Sequence, residues 1–464
     1  MNTKALARAV SFIESWLPVM YERDDAPGLA VAIAHKGRVV MSRAYGYADL
    51  ERKAALTPEH VFRIASHSKT FTATAVMQLA EEGRLRVDDR VAAYLPWLQG
   101  HEDGRWAEVT LRQLLSHGAG VVRDGLDSDF WQLERPFPGA DAFRAEIMAT
   151  GLVVDANTRL KYSNYGYTLL GLVIEAVSGE PYNRFVTERI IRPLGLEHTC
   201  PEYAPELGDA LVTGYTRRYG GRRLPIAAVS THAMSPDTGF CSTTADLCRY
   251  FTAHMVGSGE LLSDLSKREM QRVHFHAKGP GQAPHEDYGL GMALKDVNKR
   301  HLFGHSGGFP GCITHSAADA EAGLVVVALT NALGGPAASI VEGVYKILDH
   351  FEESTAEAAP ARDLSHLEGQ YVGLWGRTSI VVSGDRVVAA SPDAWDPFEG
   401  ADVLEPVDET TLRIAETSSF GSEGELVRFT LRDGKVERVR YAGGTMWPVA
   451  TWSERLRERT VVGA

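Results

Sequence analysis

Ser66-His67-Ser68-Lys69 is the stretch from which the reading of this chain proceeds. Ile64 and Ala65 lead into it, and Phe71, Ala75, Val76 and Leu79 follow at helical spacing, so an extended segment turns here into an amphipathic helix. Residues three apart share a helix face, which sets Ser66 beside Lys69 in the first turn. A serine hydroxyl becomes a nucleophile when a neighbouring base takes its proton. A lysine amine serves as that base where its surroundings favour the neutral form. The free N–H groups and positive dipole end of the helix start suit an oxyanion. The pattern S-x-x-K occurs once in the chain.

Two further groups follow at wide spacing. Tyr162-Ser163-Asn164 is the single Y-x-N of the sequence. A phenol relays a proton between a serine and a leaving group, and Asn164 offers an oxygen to a lysine amine and a nitrogen to a substrate carbonyl. In His305-Ser306-Gly307-Gly308, small residues let backbone approach a ligand closely. The set predicts Ser66, Lys69, Tyr162 and His305 as catalytic residues, with Asn164, Ser306, Gly307 and Gly308 at the substrate.

With these motifs in this order, residues 10–350 resemble the serine hydrolases that include class C β-lactamases, DD-peptidases, D-aminopeptidases and esterases. Leu114-Leu115-Ser116-His117-Gly118 and Ser242-Thr243-Thr244-Ala245-Asp246-Leu247 read as scaffold of that family. The resemblance implies a nucleophile at Ser66, a general acid–base pair of Lys69 and Tyr162, an orienting Asn164, and an oxyanion hole from the N–H groups of Ser66 and Gly308. His305 stands where lactamases carry lysine and is similar to the esterase and D-aminopeptidase members. A histidine is mostly neutral at pH 7, which implies weak β-lactamase activity. Ala156-Asn157 replaces the family's Pro-Gly, and asparagine tolerates the left-handed backbone that glycine supplies there.

The 464 residues carry a net charge of −12, with 44% hydrophobic and 23% charged residues. This is a soluble-protein composition whose acidity argues against nucleic acid and anionic membrane as partners. Cys200, Cys241, Cys248 and Cys312 match neither a zinc pattern nor a disulfide framework. The histidines and acids at 274–287 read as a solvated loop, so no metal and no cofactor is expected. Arg8 and Glu14 interrupt any apolar leader, and the reading is cytoplasmic.

The expected fold is α+β and β-lactamase-like: an antiparallel sheet built from both ends of the domain and flanked by helices, with a helical region from about 88 to 260. A helix is expected over residues 5–23, hairpin strands over 28–36 and 38–48, and strands again over 288–332. A hydrolase domain 1–351, a linker 352–366 and a small lipocalin-like antiparallel β-barrel 367–464 follow from composition and turn spacing. In the last part Trp375, Trp395, Phe398, Phe420, Trp447 and Trp452 sit at loops, where they either fill the barrel core or shape substrate choice.

The expected activity is hydrolysis of a small ester through an acyl-enzyme, with D-amino-acid amide or peptide hydrolysis and transacylation as alternatives. A non-catalytic ligand sensor is the alternative of a different class, and homo-oligomerisation stays open. Gly304-His305-Ser306-Gly307-Gly308 also fits G-x-S-x-G, but Phe309-Pro310-Gly311 opposes the helix such an elbow needs.

Overall fold

The computed structural model describes residues 1–276, 287–354, 362–384, 386–418 and 422–461. Phe420 and residues 355–361 of the expected linker fall outside them, as do His285 and Glu286 of the histidine-rich loop. The chain forms two compact units, Ala26–Val341 and a second made of Met1–Asp25 with Glu342–Ala464. This cut differs from the one drawn from composition: it falls inside the helix Ala337–Ser354 and places the first helix with the C-terminal part.

In the unit Ala26–Val341, β1 (Gly28–His35), β2 (Arg38–Asp49) and β3 (Ala54–Ala55) form one end of an antiparallel sheet. Short pairs follow: β4 (Phe62–Arg63) with β7 (Cys241–Ser242), and β5 (Gly214–Tyr215) with β6 (Pro225–Ile226). The strands β8 (Asp287–Tyr288), β9 (Ala293–Val297), β10 (Arg300–Phe309), β11 (Cys312–Asp319) and β12 (Leu324–Thr330) complete the sheet. Its order is β3-β2-β1-β12-β11-β10-β9-β8. The first and last strands of the unit are thus neighbours, with Leu29 opposite Thr330 and His35 opposite Leu324. All seven residues of β12 are buried, which explains its unbroken apolar run: both faces are covered. Lys36 (φ 50°) and Gly37 (φ 77°) turn the β1–β2 hairpin, the left-handed pair that matches strand twist.

The helix that follows Ser66, α2 (Ser68–Glu81), is buried from Ser68 through Leu79. Threonines in such a helix need partners. Thr70 donates to the His67 carbonyl at 2.7 Å, Thr72 to the Pro236 carbonyl at 2.6 Å and Thr74 to the Thr70 carbonyl at 2.8 Å.

In the other unit, β13 (Gly369–Gly373), β14 (Gly376–Ser383), β15 (Arg386–Ala390), β16 (Asp402–Pro406), β17 (Thr411–Glu416), β18 (Leu426–Arg432), β19 (Lys435–Tyr441) and β20 (Gly444–Pro448) close into an antiparallel barrel in sequence order. Ile380, Val387, Leu404, Leu412, Ile414, Val427 and Phe429 fill it. The helix α1 (Thr3–Asp24) belongs to this unit: its Phe12 ring lies 5.0 Å from that of Phe398, and Trp16 Nε1 donates to the Ala394 carbonyl at 3.1 Å. The aromatics expected at loops therefore divide. Phe398 packs here, whereas Trp375 is 99% exposed. A closing helix, Val449–Val461, carries Trp452 and was not foreseen from the sequence. Among the described residues no helix is long and apolar enough to cross a membrane.

Candidate active site

Ser66 lies in a tight turn, Ala65–His67, immediately before α2. The turn is held from three sides. Ile64 N–H donates to the Phe240 carbonyl at 2.9 Å, and Ser68 Oγ accepts from Phe240 N–H at 3.0 Å. His67 Nδ1–H donates to the Ile64 carbonyl at 2.9 Å, so its Nε2 accepts from Ser316 Oγ on β11 at 2.8 Å. That ring is fully buried, and burial pushes its pKa down to about 3. His67 is therefore a neutral brace between the Ser66 turn and the sheet. Ala65 holds φ at 49°, a left-handed conformation in which its Cβ is strained.

Lys69 is fully buried, and its Nζ donates to Ser66 Oγ at 3.1 Å and to the Asp237 carbonyl at 2.8 Å. The expected pairing of serine and lysine on one face is present, and a backbone acceptor fixes the amine against the hydroxyl. The Tyr162 ring centroid lies 5.0 Å from Nζ. Tyr162 sits on the extended approach to the helix Asn164–Ser178, whose N-cap Ser163 accepts from Gly166 N–H at 2.9 Å. The turn before it survives without glycine, with Asn157 at φ 61°.

His117 packs its ring 4.1 Å from that of Tyr162 and 4.6 Å from that of Tyr288. Its Nδ1 accepts from Ser163 N–H at 3.2 Å. Burial first, then the charge of Lys69, holds its pKa well below the usual histidine range. The sequence reading took it for loop scaffold; it backs the tyrosine.

Asn164 is buried, and its amide is turned away from the expected contacts. Nδ2 donates to Asp124 Oδ1 at 2.6 Å, while Oδ1 has no hydrogen-bond partner among the described residues. Asp124 also accepts from Trp131 Nε1 at 2.9 Å and from Arg123 Nε at 3.2 Å. No pattern in the sequence marks Asp124, because its partners lie on separate segments.

The third motif runs along β10. His305 is 3% exposed. Its Nδ1–H donates to the Ser306 carbonyl at 2.6 Å, and its Nε2 accepts from the Tyr288 hydroxyl at 2.9 Å. Burial, with help from His67 and Lys69, depresses its pKa well below the usual value. His305 is thus neutral and bonded to Tyr288. Gly307 answers a close approach: a Cβ there would collide with the Ile64 carbonyl oxygen at the nucleophile's turn. Gly308 is exposed on the same strand and Ser306 is half-buried. The strand continues through Ser306 to Phe309 and turns into β11, so the elbow geometry of G-x-S-x-G is absent. Among the described residues no cluster of three metal-ligating side chains occurs.

The fold, an antiparallel sheet with a buried serine helix, is that of a β-lactamase-like hydrolase. The family model described as Beta-lactamase matches residues 14–347, and the chain belongs to that family of serine hydrolases. Protein flp of Staphylococcus aureus strain MW2 is 32% identical over 178 residues, 38% of this chain and 35% of that protein; the match thus spans about a third of the relative's length. Penicillin-binding protein 4* of Bacillus subtilis strain 168 is 29% identical over 318 residues, 65% of this chain and 67% of that protein. The octameric penicillin-binding protein homologue from Pyrococcus abyssi superposes with a TM-score of 0.66 at 25% identity, covering 94% of this chain and 99% of its own.

Proposed function

We propose that this hydrolase cleaves a small ester through an acyl-enzyme on Ser66. The observation that carries the reading is the Lys69 amine, 3.1 Å from Ser66 Oγ and anchored by the Asp237 carbonyl. Lys69 takes the serine proton as Oγ attacks the carbonyl carbon. The N–H groups of Ser66 and Gly308 receive the oxyanion, and Tyr162 gives its phenol proton to the leaving alcohol and regains one from the Lys69 ammonium. Water then attacks the acyl carbon by the reverse path and frees the acid. His305 contributes by holding Tyr288, whose ring lies perpendicular to that of Tyr162 with centroids 6.3 Å apart. Ser306 and Gly307 shape the wall on which substrate lies. A neutral His305 offers no cation to a lactam's carboxylate, so nitrocefin turns over slowly relative to a p-nitrophenyl ester. The experiment is labelling with a fluorophosphonate, followed by mass spectrometry of the modified peptide. Label on Ser66 supports the mechanism; label on Ser306, or none, sinks it.

Amino-acid amides are the second reading. The Asp124 carboxylate beside Asn164 favours it, since it would attract a substrate ammonium. A panel of short-chain esters, D- and L-amino-acid amides and nitrocefin separates the two. The four cysteines are free thiols, which supports a reducing, cytoplasmic setting; cell fractionation tests it. The octameric relative motivates measuring self-association by light scattering.

A further inference from the structure

Cys200 and Cys241 face each other across a lone antiparallel bridge: the N–H of each donates to the carbonyl of the other, at 3.0 Å and 2.9 Å. Residues that exchange both bonds stand directly opposite, about 5.5 Å apart at Cα, with their side chains on one face. That separation lies within the span a disulfide closes without backbone movement. Both residues are free thiols, and the two side chains are hydrogen-bonded to each other. They are unequal: Cys241 is buried, whereas Cys200 is half-buried and open to a small oxidant.

Arg63 completes the row. On β4 it stands directly opposite Cys241. It is 4% exposed, and its Nε and Nη2 have no hydrogen-bond partner among the described residues. Nη1 donates to the Val229 carbonyl at 3.0 Å and lies 3.5 Å from Glu202 Oε1. A buried guanidinium with two donors unused is costly and suits an anion that forms beside it. The Cys241 thiol first, then the Arg63 charge and the Glu202 N–H, favour the Cys200 thiolate over the opposing effects of burial and the Glu202 carboxylate. Donation to Cys200 and burial push Cys241 up, and burial does the same to Cys248 and Cys312.

We propose that Cys200 and Cys241 are a peroxide-reactive dithiol, with Cys200 as the attacking thiol, Cys241 as the resolving one, and a disulfide across the bridge as the product. The Cys200 thiolate attacks one oxygen of hydrogen peroxide, the O–O bond breaks, and the departing hydroxide takes a proton to become water. Cys241 sulfur then attacks the sulfenic sulfur; the S–S bond forms, the S–O bond breaks, and the hydroxyl leaves with the thiol proton as a second water. Two thiols lose two electrons to one peroxide, and a dithiol reductant reverses the change. Cys241 follows Phe240, whose carbonyl and N–H hold Ile64 N–H and Ser68 Oγ. The disulfide therefore staples the segment that supports the Ser66 turn, and the bridge geometry lets it close without displacing that turn.

The test is oxidation of the full chain with hydrogen peroxide, followed by alkylation and non-reducing peptide mapping. A peptide linking Cys200 to Cys241 within one chain should appear and be lost on treatment with dithiothreitol. The unfolding midpoint of the oxidised protein should exceed that of the reduced protein by at least about 3 °C. Cys241→Ser should halt Cys200 at a sulfenic acid that dimedone traps. Cys200→Ser should form no intrachain disulfide and consume peroxide about tenfold more slowly. A link to Cys248 or Cys312, a disulfide between chains, Cys200 oxidised further while Cys241 stays reduced, or an oxidised protein that melts no higher than the reduced one overturns the proposal. Should both variants misfold, the map and melting of the wild-type protein decide.

Discussion

The molecule contains two eight-stranded antiparallel sheets with opposite interiors. Among the described residues of β13–β20 the buried polar side chains, tyrosine aside, are Ser379 and Ser383. The hydrolase unit buries Arg63, His67, Lys69, His117, Asp237, His254, Lys267 and His305, along with the ion pair between Arg300 and Asp319. One sheet closes on itself and is filled with hydrocarbon. The other is open, and Lys69, His67 and Asp237 among its buried ionisable groups lie on the elements around Ser66. Buried ionisable groups oppose folding, so their concentration in one unit marks where stability has been exchanged for chemistry.

Four experiments press on that contrast. The largest effect is expected from Ser66→Ala, which should lower turnover by roughly 10⁴-fold or more and abolish labelling. Ser306→Ala, in the middle of β10, should keep most of the activity. Next, Phe429→Ala in the barrel core should cost about 3–5 kcal/mol of stability in that unit, read by denaturant unfolding. The labelling rate of Ser66 in folded protein should be unchanged; a rate that falls in proportion would show that the two interiors are not independent.

The third experiment is acid. His67 (about 3), His254 (about 4), His117 and His305 all have folded-state pKa values pushed below the usual 6.5. Their neutral burial stabilises fully above about pH 6.5 and is lost as the pH falls towards 4 and 3. Asp237 and Asp246 work the other way, since burial raises their pKa values and acid relieves them, but the buried histidines outnumber them. His350, in the other unit, is depressed to about 4 and adds a smaller contribution there. Hydrogen exchange should show β12 losing protection at a higher pH than β17. The reverse order would break the contrast. The smallest effect belongs to Ser379→Ala. Its hydroxyl is buried without a partner among the described residues, so its removal should be neutral or stabilise by about 0.5–1 kcal/mol. Thr72→Val, which removes a satisfied buried hydroxyl, should destabilise by about 1–2 kcal/mol, read by thermal unfolding.

The contact between Ser66 and Lys69 was legible because a local rule places residues three apart on one face of a helical turn. A single antiparallel sheet drawn from both ends of the hydrolase unit was legible too, since an apolar run such as β12 has to be a covered strand. Asp237, Asp124 and the bracing role of His67 were not, because each acts through partners 40 to 249 residues away. Nothing in His305-Ser306-Gly307-Gly308 tells that Tyr288 occupies Nε2. The helix Val449–Val461 was missed because it follows β20 directly and its sequence is mostly polar.

The assignment of α1 to the unit completed by Glu342–Ala464 has a consequence in time. The chain is made from its N-terminus, so α1 leaves the ribosome well before its partners Phe351, Ala394 and Phe398, which come more than three hundred residues later. At roughly 5–20 residues per second, the face carrying Phe12 and Trp16 waits on the order of 15–60 s with nothing native to cover it. During that interval the whole hydrolase unit is synthesised between the two halves of its neighbour. The nascent protein therefore presents a bare amphipathic helix for most of its birth, and its yield in a cell depends on what shields that helix until the last quarter of the chain arrives.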